Sequence, residues 1–343
     1  MSQFSNSHIV TFYSYKGGAG RTMALANTAW ILASNGHRVL IVDWDLESPG
    51  LHRFFRPFLD EKVISGTSGV IDLIKDFAWA ATRPDSDTAD WHTPYADVGR
   101  HVVPVEWPHF PYGGSLDLLP AGRQNRDYSS LASAFDWDDF YERLGGGQFL
   151  DALREDMRRG YDYVLIDSRS GLSDIADICT VQFPDTVVLG FTLSDQSIEG
   201  AAQVGADIAG RYADRDIRIL PIPMRVDDAV REKLHSGRAF ARSQFDRFLT
   251  GMDPEQANRY WGAVEIPYKP FYAYEETLAT FGDAPGSPGS LLAAYERLTG
   301  VITGGRVSSL PPLHEDLRLR CWELFVRRHP SLPNDATLNS PPC

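Results

Sequence analysis

Residues 16–22 bring a lysine, three glycines, an arginine and a threonine together in one short segment, Lys-Gly-Gly-Ala-Gly-Arg-Thr. Glycines let the backbone approach an anion closely, and the basic side chains of Lys16 and Arg21 supply positive charge. The hydroxyl of Thr22 is the kind of oxygen that binds Mg²⁺ beside a phosphate group. The segment therefore predicts a loop that binds nucleotide phosphates. A glycine turn with only a structural role is the alternative.

The elements on either side of this loop fit that chemistry. The short apolar run at residues 9–12 predicts a buried strand, and the pattern over residues 22–35 predicts a helix that ends at Gly36. The first turn of a helix has free backbone N–H groups, and its dipole favours negative charge there. A glycine loop between a strand and a helix is the setting in which such a loop binds phosphate.

Two further strands lead into carboxylates. Asp43 and Asp45 follow the second apolar run of the chain, and Asp167 ends a later one, with Gly171 four residues beyond it. In α/β sheets, ligands lie outside the carboxyl ends of the strands. A carboxylate at Asp167 can hold the hydration shell of Mg²⁺, and the backbone of Gly171 can approach a γ-phosphate. For Asp43 and Asp45, solvated strand ends are the alternative.

Apolar strands alternate with amphipathic helices along most of the chain, which predicts an α/β fold. We expect a doubly wound, mostly parallel sheet with helices on both faces, in a single domain over residues 1–330. Within it we expect an irregular insertion at about 80–114 and C-terminal helices at about 288–329, followed by a flexible tail at 331–343. The expected strands are residues 9–12, 38–42, 115–119, 161–167, 186–191, 217–222 and 264–267, and the expected helices include 22–35, 68–77, 149–159, 195–212 and 313–329.

Composition narrows the class of protein. With 33 basic and 46 acidic residues the formal charge is −13, which argues against a general nucleic-acid binder. The three cysteines are far apart and have no metal-binding or redox spacing, so we expect free thiols. The first residues lack the features of a signal peptide, and no apolar run approaches the ~18 residues that cross a bilayer. We therefore expect a cytoplasmic protein.

Four sequence blocks, taken together, resemble the MinD/ParA family of dimeric P-loop ATPases. In chain order they are KGGAGRT, DWDLESPG, DSRSG and SDQS, and the resemblance that they carry covers the sheet, roughly residues 8–275. The lysine before the Gly-Gly pair resembles the deviant Walker A loop of that family. The arginine in this loop resembles the KGGVGR-type bacterial branch, whose members accompany signalling or conflict-system proteins.

The resemblance implies a role for each motif residue, with ATP and Mg²⁺ as cofactors. Lys16 would be the signature lysine, which acts across a homodimer on the partner's nucleotide. Asp45 would orient the attacking water, so Lys16 and Asp45 are the implied catalytic residues. Mg²⁺ would be held by Thr22, Asp43 and Asp167. The residues implied to contact the nucleotide are Lys16, Gly17, Gly18, Ala19, Gly20, Arg21, Thr22, Met23 and Gly171.

The function implied is a slowly hydrolysing molecular switch that a partner protein reads in its closed, dimeric state. Two departures from the family pattern keep alternatives open. Arg21 replaces the Walker lysine, and arginine and lysine are not interchangeable at a phosphate; a nucleotide-binding scaffold with little turnover is therefore an alternative. Residues 223–227, Pro-Met-Arg-Val-Asp, lack the asparagine that commonly reads adenine, so base specificity stays open.

An ATPase that positions DNA or membranes is a further alternative. Residues 313–329 form a basic amphipathic segment, with Leu313, Leu317, Cys321, Leu324 and Phe325 on one helical face. Such a helix can lie on a membrane. Docking on its own domain or on a partner is favoured, because neighbouring apolar residues widen that face.

Overall fold

The computed structural model describes residues 7–83, 90–123, 128–170, 181–211, 215–227 and 231–326. Within them, seven strands form one open sheet in the order β3-β4-β2-β5-β1-β6-β7. Every neighbouring pair is parallel except β3–β4 at one edge. The strands are β1 (His8–Ser14), β2 (Arg38–Asp43), β3 (Val103–Pro104), β4 (Ser115–Leu119), β5 (Tyr163–Asp167), β6 (Thr186–Phe191) and β7 (Arg218–Pro223). The predicted α/β class with a mostly parallel sheet is confirmed.

The helices pack on both faces of the sheet, because successive strand side chains point to opposite faces. Ile9 and Leu40 belong to one buried apolar cluster, whereas Val10 and Ile41 belong to another. The helices are α1 (Arg21–Ser34), α2 (Glu61–Gly66), α3 (Val70–Ala81), α4 (Tyr128–Ala134), α5 (Trp137–Glu142), α6 (Gly146–Gly160), α7 (Asp195–Arg211), α8 (Arg231–Phe245), α9 (Pro254–Val264), α10 (Pro270–Tyr274), α11 (Ala279–Gly282), α12 (Leu291–Ile302) and α13 (Glu315–Phe325). Short 3₁₀ helices lie at Leu51–Phe58, Thr93–Tyr95, Val98–Arg100 and Asp246–Phe248.

Strand register places the predicted carboxylates next to one another. β5 lies between β1 and β2, and Asp43 at the end of β2 is paired directly with Asp167 at the end of β5. On the other side of β5, Asp167 is paired with Phe12, two residues before the end of β1. The glycine loop leaves β1 at Ser14. The loop and both carboxylates therefore share one edge of the sheet.

The predicted last strand, residues 264–267, is wrong. Val264 is the final residue of α9, which is stabilised at its start by a capping box between Asp253 and Gln256. The residues that follow are extended and form only an isolated bridge, Val226 with Pro267. The ladder is not continued because Arg225, next to Val226, has a left-handed backbone, φ 53°, which turns the chain away.

The C-terminal helix is shorter than predicted and packs on its own domain. α13 ends at Phe325, whose side chain is fully buried, and the buried guanidinium of Arg318 donates to the carbonyl oxygen of Phe281. Leu324, expected on the apolar face, is instead largely exposed. Within the described residues, no helix has both the length and the apolar character to cross a membrane. Residues 327–343, which include the expected tail, lie outside the described residues, as does Gly171.

Candidate functional site

The loop between β1 and α1 has the backbone shape that an anion site requires. Gly18 and Gly20 have left-handed backbones, with φ of 75° and 97°, which side-chain-bearing residues rarely adopt. Gly20 is the N-terminal cap residue of α1, and no side chain caps the N–H groups of the first turn. No acidic residue lies in that turn either. These N–H groups are therefore free to bind an anion such as a phosphate.

A cavity of about 640 Å³ opens in front of this loop. Its walls come from the loop and the start of α1, the segment after β2, Arg225 after β7, the segment from the end of α9 through α10, and the first half of α12. The lining residues include Gly18, Ala19, Gly20, Arg21, Thr22, Met23, Ser48, Arg53, Arg225, Tyr268 and Tyr272. Six of the residues predicted to contact nucleotide, Gly18 to Met23, thus line one cavity. Its volume is within the range of small-molecule sites.

Arg21 does not extend into open space. Its side chain is buried, and each of its three nitrogens donates a hydrogen bond within the protein. Nε donates to Asp167 Oδ1 at 2.6 Å and Nη2 to Asp45 Oδ2 at 3.0 Å. Nη1 donates to the hydroxyl of Ser14 at 3.3 Å. Arg21 therefore binds the carboxylates behind the loop.

The charges of this cluster shift the pKa values of its members. Burial works to lower the pKa of Arg21, but the carboxylates of Asp167, Asp45 and Asp43 raise it, so the guanidinium keeps its charge. Burial, reinforced by the charge of Asp167, raises the pKa of Asp43 well above its usual value. Burial also raises the pKa of Asp45, although Arg21 opposes this shift.

The residues predicted to hold Mg²⁺ have the hydroxyl and carboxylate oxygens that this ion prefers, but hydrogen bonds within the protein engage most of them. Thr22 Oγ1 donates to Asp167 Oδ2 at 2.7 Å, which brings the hydroxyl and the carboxylate together. Asp43 Oδ2 accepts from the backbone N–H groups of Gly50 and Leu51, whereas its buried Oδ1 has no hydrogen-bond partner in the described part of the chain. Among the described residues, no three His, Cys, Asp or Glu side chains converge as a self-sufficient metal site. Mg²⁺ usually takes one or two protein oxygens and completes its shell with phosphates and water.

The raised pKa of Asp43 predicts a pH-dependent loss of stability that Asp43→Asn removes. In the folded protein this carboxyl keeps its proton to a higher pH than in the unfolded chain, where it titrates near pH 3.9. The stability it contributes is complete below that value and is lost as the pH rises through the raised native pKa. Asp43→Asn should therefore lose less stability than wild type between about pH 4 and pH 8.

Urea unfolding of both proteins across this pH range would measure the difference. Asp138→Asn, at an exposed position in the first turn of α5, is the matched control and should follow wild type. If the free energy of unfolding changed with pH in the same way for wild type and Asp43→Asn, the raised pKa of Asp43 would be contradicted.

Lys16 is exposed and lies apart from the carboxylates. Its Nζ donates to the side-chain oxygen of Gln196 in the first turn of α7, which belongs to the SDQS block. Arg169, in the DSRSG block, forms an ion pair with Glu47 at 2.7 Å. Lys16 is thus held by a neutral amide on the protein surface.

Sequence reasoning missed a second group of side chains at the cavity. Arg225 Nη1 donates to the carbonyl oxygen of Gly18 at 2.8 Å, and its guanidinium lies 4.9 Å from the centre of the Tyr268 ring. Arg225 thereby connects the glycine loop to the segment after α9. The signal in the sequence was the departure from the family pattern at residues 223–227. It showed that the asparagine that commonly reads adenine is missing, but not that Arg225 and Tyr268 line the cavity there.

Solved structures with a similar fold include MinD, McdA and ParA proteins. MinD of Pyrococcus horikoshii, in complex with Mg-ADP, matches with a TM-score of 0.53 and 18% identity over 86% of this chain and 98% of its own. An ATP complex of Cyanothece McdA matches with a TM-score of 0.58 and 16% identity over 90% and 99%. A ParA family ATPase of Chlorobium tepidum matches with a TM-score of 0.51 and 16% identity over 87% and 98%. The chain has the MinD/ParA fold.

The sequence comparisons are weaker than the structural ones. No protein-family model matches the chain. An uncharacterized ATP-binding protein of Methanocaldococcus jannaschii is 26% identical over 196 residues, and the match spans 56% of this chain. The chain covers only 56% of the length of that relative. The MinD/ParA resemblance of the sequence blocks is thus matched by the fold, whereas the role of each residue rests on the geometry of the site.

Proposed function

We propose that the chain is a Mg²⁺-dependent ATPase that works as a dimeric switch of the MinD/ParA type. The observation that carries this proposal is the uncapped N-terminus of α1. It lies behind a left-handed glycine loop, faces a cavity large enough for a nucleotide, and is followed by Thr22 beside Asp167. A partner protein would read the closed dimer, in keeping with the resemblance to bacterial signalling or conflict-system ATPases.

The residues of the site divide the work of phosphoryl transfer. The backbone N–H groups at residues 18–22 and the dipole of α1 would bind the β- and γ-phosphates. Asp45, which forms an ion pair with Arg21, would orient the attacking water. When bound, Mg²⁺ would neutralise phosphate charge, and Thr22, Asp43 and Asp167 would hold it. Lys16 would bind the nucleotide of the partner subunit, for which its exposed position is suited.

The dimer is tested by measuring phosphate release and molar mass in parallel, with ATP and Mg²⁺, for wild type and Lys16→Ala. We expect the wild type to release phosphate and to shift to the mass of a dimer, and Lys16→Ala to do neither. Lys62→Ala, at an exposed position on α2, is the control and should behave as wild type. Dimer formation and turnover by Lys16→Ala would contradict the role of the lysine across the interface.

A nucleotide-binding scaffold is the second candidate, and a specific observation favours it. Arg21 is engaged with Asp167 and Asp45, so no long cation from the Walker position is directed at the phosphates in this arrangement. Tight ATP binding by the wild type without phosphate release would support the scaffold over the ATPase.

The base of the nucleotide would lie at the Arg225–Tyr268 side of the cavity. The glycine loop and Tyr268 line the same cavity, and Tyr268 supplies an aromatic ring there. Base stacking on an aromatic side chain is worth ~1–3 kcal/mol and tolerates different bases. We therefore expect modest discrimination between ATP and GTP.

Replacing Tyr268 with leucine should weaken ATP binding about tenfold, because the stacking surface is lost while the apolar volume is mostly kept. Fluorescence titration with a labelled ATP analogue would measure the change. Tyr112→Leu, at a fully exposed tyrosine beside Gly36 and the far end of α1, is the matched control. Equal affinities for wild type and Tyr268→Leu would place the base elsewhere.

A further inference from the structure

Hydrogen bonds within the protein already occupy most of the carboxylate oxygens that a metal ion would use. Asp43, Asp45 and Asp167 have six such oxygens. Arg21 and Thr22 take both oxygens of Asp167, and Arg21 and the backbone N–H of Ser48 take those of Asp45. Asp43 Oδ2 accepts two backbone N–H groups, and Asp43 Oδ1 is the one of the six oxygens that has no hydrogen-bond partner among the described residues.

Arg21 is the cation at the centre of this arrangement. Arg21 forms ion pairs with Asp167 at 2.6 Å and with Asp45 at 3.0 Å, and only 8% of its surface is exposed to solvent. The third bond, to Ser14, joins the guanidinium to the strand that leads into the loop. Ser14 in turn donates to the carbonyl oxygen of Lys16, so the guanidinium is linked to the loop itself.

A divalent cation and this guanidinium cannot share the same oxygens. Mg²⁺ requires an almost ideal octahedron of oxygen ligands at close range, which bonds from Arg21 and Thr22 now obstruct. Two cations a few ångströms apart in a buried site also repel each other strongly. Binding of the metal therefore requires Arg21 to leave Asp167 or Asp45.

We propose that, in the nucleotide-free protein, the guanidinium of Arg21 occupies the position that a metal ion would take. A divalent cation then enters only when nucleotide phosphates draw the guanidinium away from the carboxylates. Arg21 is among the residues that line the cavity, so incoming phosphates would meet it there. The inference rests on the proposed function, because it assigns to Arg21 the regulation of that same site. Binding of nucleotide and metal would thus replace the Arg21 guanidinium beside these carboxylates with a metal ion.

The test is a titration of the nucleotide-free full chain with Mn²⁺, in which electron paramagnetic resonance measures the Mn²⁺ that remains free. The proteins are wild type, Arg21→Gln, Arg21→Met and the double variant Arg21→Gln with Asp43→Asn. Arg143→Gln, which breaks an exposed ion pair with Asp139 on α5, is the matched control. Circular dichroism establishes that each variant is folded, and Arg21→Met, which also removes the positive charge, takes the place of Arg21→Gln if the latter does not fold.

We expect Arg21→Gln to bind one Mn²⁺ at least about tenfold more tightly than wild type and Arg143→Gln, because a competing charge has been removed. The double variant should lose this gain. Equal Mn²⁺ binding by wild type and the Arg21 variants would overturn the proposal. Because these titrations contain no nucleotide, their result is independent of whether the wild type binds ATP, which tests the proposed function separately.

Discussion

Replacing Asp45 with asparagine should lower the rate of ATP hydrolysis at least about 100-fold, the usual contribution of a group that positions or activates a reacting water. ATP binding should persist, because the loop and the first turn of α1 do not depend on this carboxylate. Asparagine also keeps an oxygen that can accept the bond from Arg21 Nη2. Single-turnover phosphate release and a parallel ATP titration would separate the two effects.

The control for this change is Asp138→Asn, an exposed carboxylate on α5 outside the site. It should hydrolyse ATP at the wild-type rate. If Asp45→Asn kept wild-type turnover, the water would be oriented by another group. If it lost ATP binding instead, the role of Asp45 would be structural.

Replacing Asp167 with asparagine should reduce the free energy of unfolding by about 3 kcal/mol, the scale observed when one partner of a buried ion pair is removed. Asp167 is 2% exposed and accepts bonds from both Arg21 and Thr22. Asparagine has nearly the same shape, so the change removes charge rather than volume. Arg21 would keep only Asp45 as an ion-pair partner. Urea unfolding near neutral pH measures the loss.

Asp139→Asn provides the comparison for an exposed pair. Its partner Arg143 is largely solvent-exposed, although the ion-pair distance is the same 2.6 Å. Exposed pairs contribute ~0–1 kcal/mol, so this variant should stay close to wild type. A similar loss in both variants would mean that burial does not govern the stability of the Arg21 cluster.

The sequence predicts the edge of the sheet where the site lies, because apolar strands and a glycine-rich loop can both be recognised from neighbouring residues. The loop at residues 16–22 and the carboxylates at the ends of β2 and β5 could be placed together, since parallel strands end at one edge. Their pairing, Asp43 opposite Asp167, depends on register and required the structure.

The direction of Arg21 could not be predicted from the sequence. Motif resemblance places an arginine where a lysine binds phosphate, but the buried carboxylates attract its guanidinium from behind the loop. Arg225 and Tyr268 were missed for a related reason, since 43 residues separate them along the chain and no local pattern links them. The failed strand at residues 264–267 reflects the same limit, because the left-handed backbone of Arg225 interrupts its pairing.

The measurement that tests the central claim most directly is calorimetric titration of the full wild-type chain with ATP and Mg²⁺, with phosphate release followed in the same sample. We predict that one ATP binds per chain and that phosphate is then released slowly. Absence of ATP binding, even at millimolar nucleotide, would contradict the assignment of the glycine loop and its cavity as a nucleotide site.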